Sequence, residues 1–228
     1  MTARFTPVLA WLAMFTEGGA VVADQAVAGG PDWARYYAAT VGHEPRPLLR
    51  AACELLGAGA GRTAIDLGCG SGDDALALLA WGWSVVAVDQ QPAGLDLLRD
   101  RVPAHSAGQV QIVCASFTEA TLPRAHLIHA SYSLPFCAPG DFPDAWAGIR
   151  RALAPGGIFA GQLFGIHDSW AATRPYMSFH RPGQARQLLE GLQVLRLEET
   201  ERDGTAVSGP KHWHVYDILA RQPLLTGA

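Results

Sequence analysis

The chain has 228 residues, of which 49% are hydrophobic and 17% charged, with a formal net charge of −4. That length suits one domain, or one with an appendage, and the apolar share excludes a disordered chain. The mildly acidic balance, 17 Lys+Arg against 21 Asp+Glu, has no basic run and gives no electrostatic grip on nucleic acid or an anionic membrane.

Along the chain, Arg4 precedes an apolar run from Val8 to Phe15, and Ala26-Val27-Ala28 has the small residues of a leader cleavage site. The run is short, and Glu17 and Asp24 lie between it and that site. Residues 1–30 are therefore expected to be an N-terminal extension or amphipathic helix rather than a secretion signal. No other segment approaches the ~20 apolar residues of a membrane span. Residues 31–228 read as one domain. A helical pattern from Pro31 to Leu56 is broken by Pro45 and Pro47. Strands and helices then alternate. Strands are expected at Thr63–Leu67, Ser84–Val88, Val110–Cys114, Leu127–Ser131 and Ile158–Leu163. Helices are expected at Asp73–Trp81, Pro92–Arg101, Phe142–Leu153 and Gly183–Leu189. The tail alternates apolar and polar over Val194–Glu201 and again over His212–Ala220, with a loop at Gly204–Pro210. Two strands without a helix between them predict an antiparallel pair closing an otherwise parallel, doubly wound α/β sheet.

The cysteines Cys53, Cys69, Cys114 and Cys137 match neither zinc-ribbon nor Cys-x-x-Cys spacing. They read as reduced thiols in a cytoplasmic protein. His212 and His214 would share one face of the last strand, but two ligands are too few for a closed zinc site, and a third would have to come from elsewhere. No metal site is assigned.

The densest motif is "AIDLGCGSGDD", residues 64–74. A strand running into a glycine turn places a ligand beyond the strand's carboxyl end, where the glycines admit close backbone approach. The dinucleotide fingerprint Gly-x-Gly-x-x-Gly fails at its third place, which is Asp73, and a carboxylate there would repel a pyrophosphate. The spacing present is Asp66-x-Gly68-x-Gly70-x-Gly72, and Asp89 ends the second strand, placed to accept from two ribose hydroxyls. A ligand with a ribose and no phosphate suits this set.

With "IDLGCGSG", the acid of "VVAVDQ" and the "LAPGGIF" strand start, the sequence resembles the class I S-adenosylmethionine-dependent methyltransferases over about Pro31 to Arg221. The resemblance implies a seven-stranded sheet of order 3-2-1-4-5-7-6 with strand seven antiparallel. It also implies S-adenosylmethionine as cofactor. Asp66, Gly68, Cys69, Gly70 and Gly72 would line its methionine and sugar. Asp89 would hold the ribose, and Gln90 would lie beside the adenine. Many members carry an acid after strand three; here Ser116 would stand in, and Phe117 would pack on the adenine or in the core. Ser131 and Tyr37 join the cofactor set, and Arg46 is the candidate for its carboxylate.

Within that class, "YY", "ASYSLPFC", "GQLFG" and "KHWHVYDILAR" most resemble small bacterial tellurite-resistance and thiol methyltransferases. The resemblance implies a small-molecule methyl acceptor and a monomer or homodimer. Trp33, Tyr36, Tyr132, Trp170 and His180 are the acceptor-pocket candidates. Methyl transfer chiefly requires alignment and exclusion of water, so an ionised or soft acceptor needs no general base. Where one is used, His167 and Tyr132 are the candidates. The alternatives are a nicotinamide-dependent oxidoreductase and a cofactor-binding protein without turnover.

Overall fold

The computed structural model describes residues 32–224; the expected N-terminal extension lies outside them. Two helices lead in, α1 (Trp33–Thr40) and α2 (Pro47–Leu56). Asp32 caps α1 by accepting from the Arg35 N–H, and Pro47 opens α2, where its missing N–H costs nothing.

The sheet follows with β1 (Thr63–Leu67), α3 (Asp73–Ala80), β2 (Ser84–Asp89), α4 (Pro92–Arg101), β3 (Val110–Cys114), β4 (Ala125–Ala130), α5 (Phe142–Ala152) and β5 (Leu153–Gly165). It ends with β6 (Phe179–His180), α6 (Pro182–Leu188), β7 (Gln193–Ala206) and β8 (Gly209–Arg221). The order is β3-β2-β1-β4-β5-β8-β7, with β6 pairing β5 off that path. Setting β6 aside, this is the order 3-2-1-4-5-7-6 expected from the sequence, and β8 runs antiparallel to both β5 and β7.

The inner strands are near-continuous apolar runs because helices cover both faces. On one face Ala64, Val85, Leu127 and Ile158 pack against Leu48 and Leu49 of α2 and Leu78 of α3. On the other, Ile65, Val86, Ile128 and Phe159 pack against Trp146 and Ile149 of α5. Adjacent residues alternate between the two cores, as the two-residue pleat requires.

Three differences from the sequence reading have local causes. Strand β6 is two residues long, too short to show periodicity. Strand β5 begins at Leu153, through Pro155-Gly156-Gly157, because Ala125 pairs with Leu153 before the register shifts. The hairpin runs almost to its turn, Ala206 opposite Gly209, so the expected Gly204–Pro210 loop is largely strand. Strand β7 is the sheet edge, and its exposed charges, Glu198 to Asp203, protect that edge from further pairing.

Candidate functional site

Strand order reverses between β1 and β4, and a cleft opens at their carboxyl ends, where open α/β sheets bind ligands. It encloses about 840 Å³ of empty space, its mouth included. The floor comes from Asp66, Gly68, Cys69 and Gly70 after β1, and from Asp89 and Gln90 after β2. Gly68, Gly70 and Gly72 have φ of 78, 53 and 83°, the left-handed region that other residues avoid. At Gly70 the need is double, since an added Cβ would lie 3.0 Å from the Tyr37 ring. The N–H groups of Gly68 and Cys69 donate to the Val88 carbonyl at 2.7 and 3.0 Å, tying the turn to β2. Burial raises the Cys69 thiol well above its usual pKa, so it lines the floor as a neutral group.

Asp89 is organised by backbone. Its Oδ2 accepts from Gly70 N–H at 2.8 Å, and its Oδ1 from Gln91 N–H at 2.8 Å and the Tyr37 hydroxyl at 3.4 Å. Burial pushes its carboxyl up, and the Gln91 and Gly70 amides oppose that rise. Asp66 is only 3% exposed, and its Oδ2 has no hydrogen-bond partner among the described residues. Burial pushes its carboxyl up, His129 opposes, and Asp74 and Asp89 add to the rise. An unpartnered buried carboxylate oxygen is costly and calls for a donor or cation.

Asp73 and Asp74 occupy the first turn of α3. Asp73 accepts from Gly42 N–H at 2.9 Å and pairs with Arg101. Asp74 accepts from Arg46 N–H at 3.0 Å, and its Oδ2 meets His129 Nε2 at 3.0 Å. Burial alone would raise Asp74, but the hydrogen bond and charge of His129, with the Arg46 amide and His43, together outweigh it and hold the carboxyl below its usual range. The helix N-terminus, a natural anion site, is thus filled by the chain's own acids. That argues against a pyrophosphate, and the same acids fasten the α1–α2 linker beside the cleft.

The upper wall is aromatic. Trp33, Tyr36 and Tyr37 of α1 face the cleft with Phe136, and the Trp33 and Phe136 ring centroids are 4.8 Å apart. Arg46, Ser116, Phe117 and Ser131 also line it. Ser116 Oγ donates to Glu119 at 2.7 Å, so its hydroxyl is already engaged. Tyr132 has φ 51°, a conformation costing a non-glycine residue roughly 1–2 kcal/mol. Its N–H donates to Gln162 Oε1 at 3.2 Å, and Gln162 Nε2 donates to Asp217 Oδ1 at 2.8 Å. The Arg46 guanidinium lies 5.7 Å from the Tyr132 ring. Backbone strain held by a side-chain relay at a cleft residue is a feature of functional sites.

Four sequence candidates do not line the cleft. Gly72 packs beneath it on Leu98. His167, on the loop after β5, turns away to the hairpin, with Nδ1 2.9 Å from Glu201. Trp170 packs with Phe164 and Trp213 around the Lys211 ammonium, which pairs with Asp168. His180 lies against Phe142, ring centroids 4.6 Å apart, and burial pushes its pKa down to about 4. Residues lining the cleft that sequence reasoning passed over include Thr40, His43, Asp74, Gln91 and Phe136. Gly42-His43, between two helical patterns, was the available signal for the linker.

The donor set fits S-adenosylmethionine. Asp66 offers a free buried acceptor to an ammonium or sulfonium, Asp89 faces the cleft for a diol, Arg46 supplies a cation for a carboxylate, and Phe117 an apolar surface for the adenine.

Residues 64–157 match the family model described as a methyltransferase domain. An uncharacterized methyltransferase from Synechocystis is 31% identical over 128 residues, which are 55% of this chain and 58% of that protein. The chain thus spans little more than half the length of this relative. Among solved structures, TehB from Haemophilus influenzae superposes with a TM-score of 0.65 at 14% identity, over 83% of this chain and 67% of its own. An S-adenosylmethionine dependent methyltransferase from Mesorhizobium loti gives 0.59 at 19% identity, over 77% and 96%. These two bear on the fold alone. Residues 64–157 thus match a methyltransferase domain, and the chain shares its fold with solved S-adenosylmethionine-dependent methyltransferases.

Proposed function

We propose that this protein transfers the methyl group of S-adenosylmethionine to a small-molecule nucleophile bound under its aromatic wall. The observation that carries the reading is the unpartnered, buried Asp66 oxygen on the cleft floor, next to an Asp89 already set by backbone amides. Bound S-adenosylmethionine supplies an electrophilic methyl on a sulfonium centre. The chain's part is to hold and align. Asp66 takes the cationic end, Asp89 the ribose, and Arg46 the carboxylate. The α1 rings exclude water, and Tyr132, fixed by Gln162, borders the acceptor. Such a site gains its rate from orientation and desolvation. It favours acceptors that arrive ionised or soft, such as thiols and chalcogen oxyanions, with phenols and amines next. The absence of a long basic patch supports a small molecule over nucleic acid.

The test is a screen with methyl-labelled cofactor across nucleophile classes, beside calorimetry with S-adenosylhomocysteine. Binding with transfer to at least one class is expected. Tight binding with no transfer to any class would favour a cofactor-binding protein without turnover.

A further inference from the structure

Beneath the cleft floor one histidine is fully buried beside two carboxylates. His129 of β4 stands opposite Asp66 of β1 in the parallel register. Both side chains belong to the sheet face covered by α2 and α3, since Ala64 and Leu127, two positions earlier in each strand, pack there. The ring's Nε2 lies 3.0 Å from Asp74 Oδ2, and the other Asp74 oxygen accepts from the Arg46 N–H at 3.0 Å. His129 thus stands between the two groups assigned to the amino-acid end of the cofactor. Asp66 is its neighbour across the strand pair, and Arg46 is one carboxylate away.

A nitrogen facing a carboxylate is best used as a donor, so Nε2 carries a proton. The surroundings decide whether Nδ1, which has no partner among the described residues, carries a second. Burial alone would push the imidazole pKa down. The Asp74 hydrogen bond and the charges of Asp74 and Asp66 outweigh burial and the opposing Arg46, and hold it above its usual value. Behind Asp74, His43 adds positive charge, while burial keeps the Cys53 thiol and the Tyr36 hydroxyl neutral. Burial pushes the Asp66 carboxyl up, Asp74 and Asp89 add to that rise, and His129 is the charge that opposes it. A neutral ring would leave Asp66 facing two like charges, and a buried carboxyl so placed keeps its proton.

We propose that His129 is a positioning residue of the cofactor site: as an imidazolium it keeps Asp66 an anion for the cofactor's cationic end and, through Asp74, fixes the chain that carries Arg46. The inference rests on the S-adenosylmethionine reading of the cleft. Asp66 lies nearer the ring than the ligand's ammonium does, and the ligand's own carboxylate offsets the repulsion between the two cations.

The test is titration of S-adenosylhomocysteine into the full chain and His129→Gln between about pH 5.5 and 8.5. Glutamine keeps a donor for Asp74 and removes the charge, and its fold is checked by circular dichroism. Without the imidazolium the Asp66 carboxyl holds its proton to higher pH, so the variant should bind about tenfold or more weakly at the acid end, tenfold for each unit by which that carboxyl rises. At the alkaline end Asp66 is ionised in both proteins and His129 is losing its charge, so the two affinities should converge. A packing role alone would give the same loss at every pH, and that result, or no loss at all, overturns this proposal while leaving the cofactor reading intact. A wild type that binds nothing overturns both. Should His129→Gln fail to fold, the imidazole nitrogen shifts of the wild type carry the test. At about pH 7, where free histidine is mostly neutral, they should report a doubly protonated ring, and a neutral one overturns the proposal.

Discussion

On the floor of the cleft, Asp89 is set by the N–H groups of Gly70 and Gln91, residues within about twenty positions of it. On the acceptor rim, Tyr132 is held by Gln162 and Asp217, and the loop beyond β5 by Asp168 paired to Lys211, groups separated by tens of residues. The floor is mostly backbone geometry imposed by a local motif. The rim is side-chain packing assembled from three strands and a loop. The two regions should therefore fail differently. Damage to the floor should cost cofactor affinity with little loss of stability, and damage to the rim should cost stability or acceptor turnover with little loss of cofactor affinity.

The largest expected effect is at the rim. Asp168 and Lys211 are 2% and 3% exposed, and the ammonium lies within 5 Å of the Phe164, Trp170 and Trp213 rings. Removing one partner strands a buried charge, so Asp168→Asn should lower the urea-unfolding free energy by about 3–5 kcal/mol. Replacing both partners with apolar residues should cost much less. Equal losses in the single and double variants would show that the pair is not the rim's anchor.

His180 belongs to the same region. Its pKa is pushed down to about 4 by burial, against about 6.5 unfolded. Between those values the unfolded chain holds a proton that the native chain does not, so stability should fall as pH drops from 6.5 toward 4, by up to about 3 kcal/mol. His180→Gln should flatten that slope in denaturation curves measured across the range.

On the floor, Asp89→Ala should weaken S-adenosylhomocysteine binding by about 2–3 kcal/mol, roughly a hundredfold, as for loss of a hydrogen bond to a charged group. Its unfolding midpoint should move little. The smallest effect separates the two walls most cleanly. Gln162→Leu removes the acceptor for the Tyr132 N–H, and should lower turnover or raise acceptor KM by about tenfold, near 1.4 kcal/mol, while cofactor affinity stays within about twofold.

The same contrast explains what could be read in advance. The floor was legible because Asp66 to Gly72 and Asp89 lie in one strand–turn–helix–strand unit, whose chemistry depends on residue type at fixed spacing. Strand order was legible for a related reason, since buried parallel strands read as apolar runs and the tail alternates. The rim was not. His167 falls where a rim base is expected, after β5, but nothing local announces that Glu201 and His214 draw its ring to the hairpin. Trp170 and His180 are aromatic residues whose destination depends on Lys211 and Phe142, far along the chain. The strain at Tyr132 leaves no trace in composition. Asp73 was legible only as an argument against a pyrophosphate, although it and Asp74 also hold the Gly42 and Arg46 amides.

The most direct measurement is isothermal titration of S-adenosylhomocysteine into the folded wild-type chain, Asp89→Ala and Gln162→Leu. The account predicts affinity on the order of micromolar for the wild type, a roughly hundredfold loss in Asp89→Ala, and a near wild-type value in Gln162→Leu. A folded wild type that does not bind, or an Asp89→Ala that binds as well as the wild type, would contradict it.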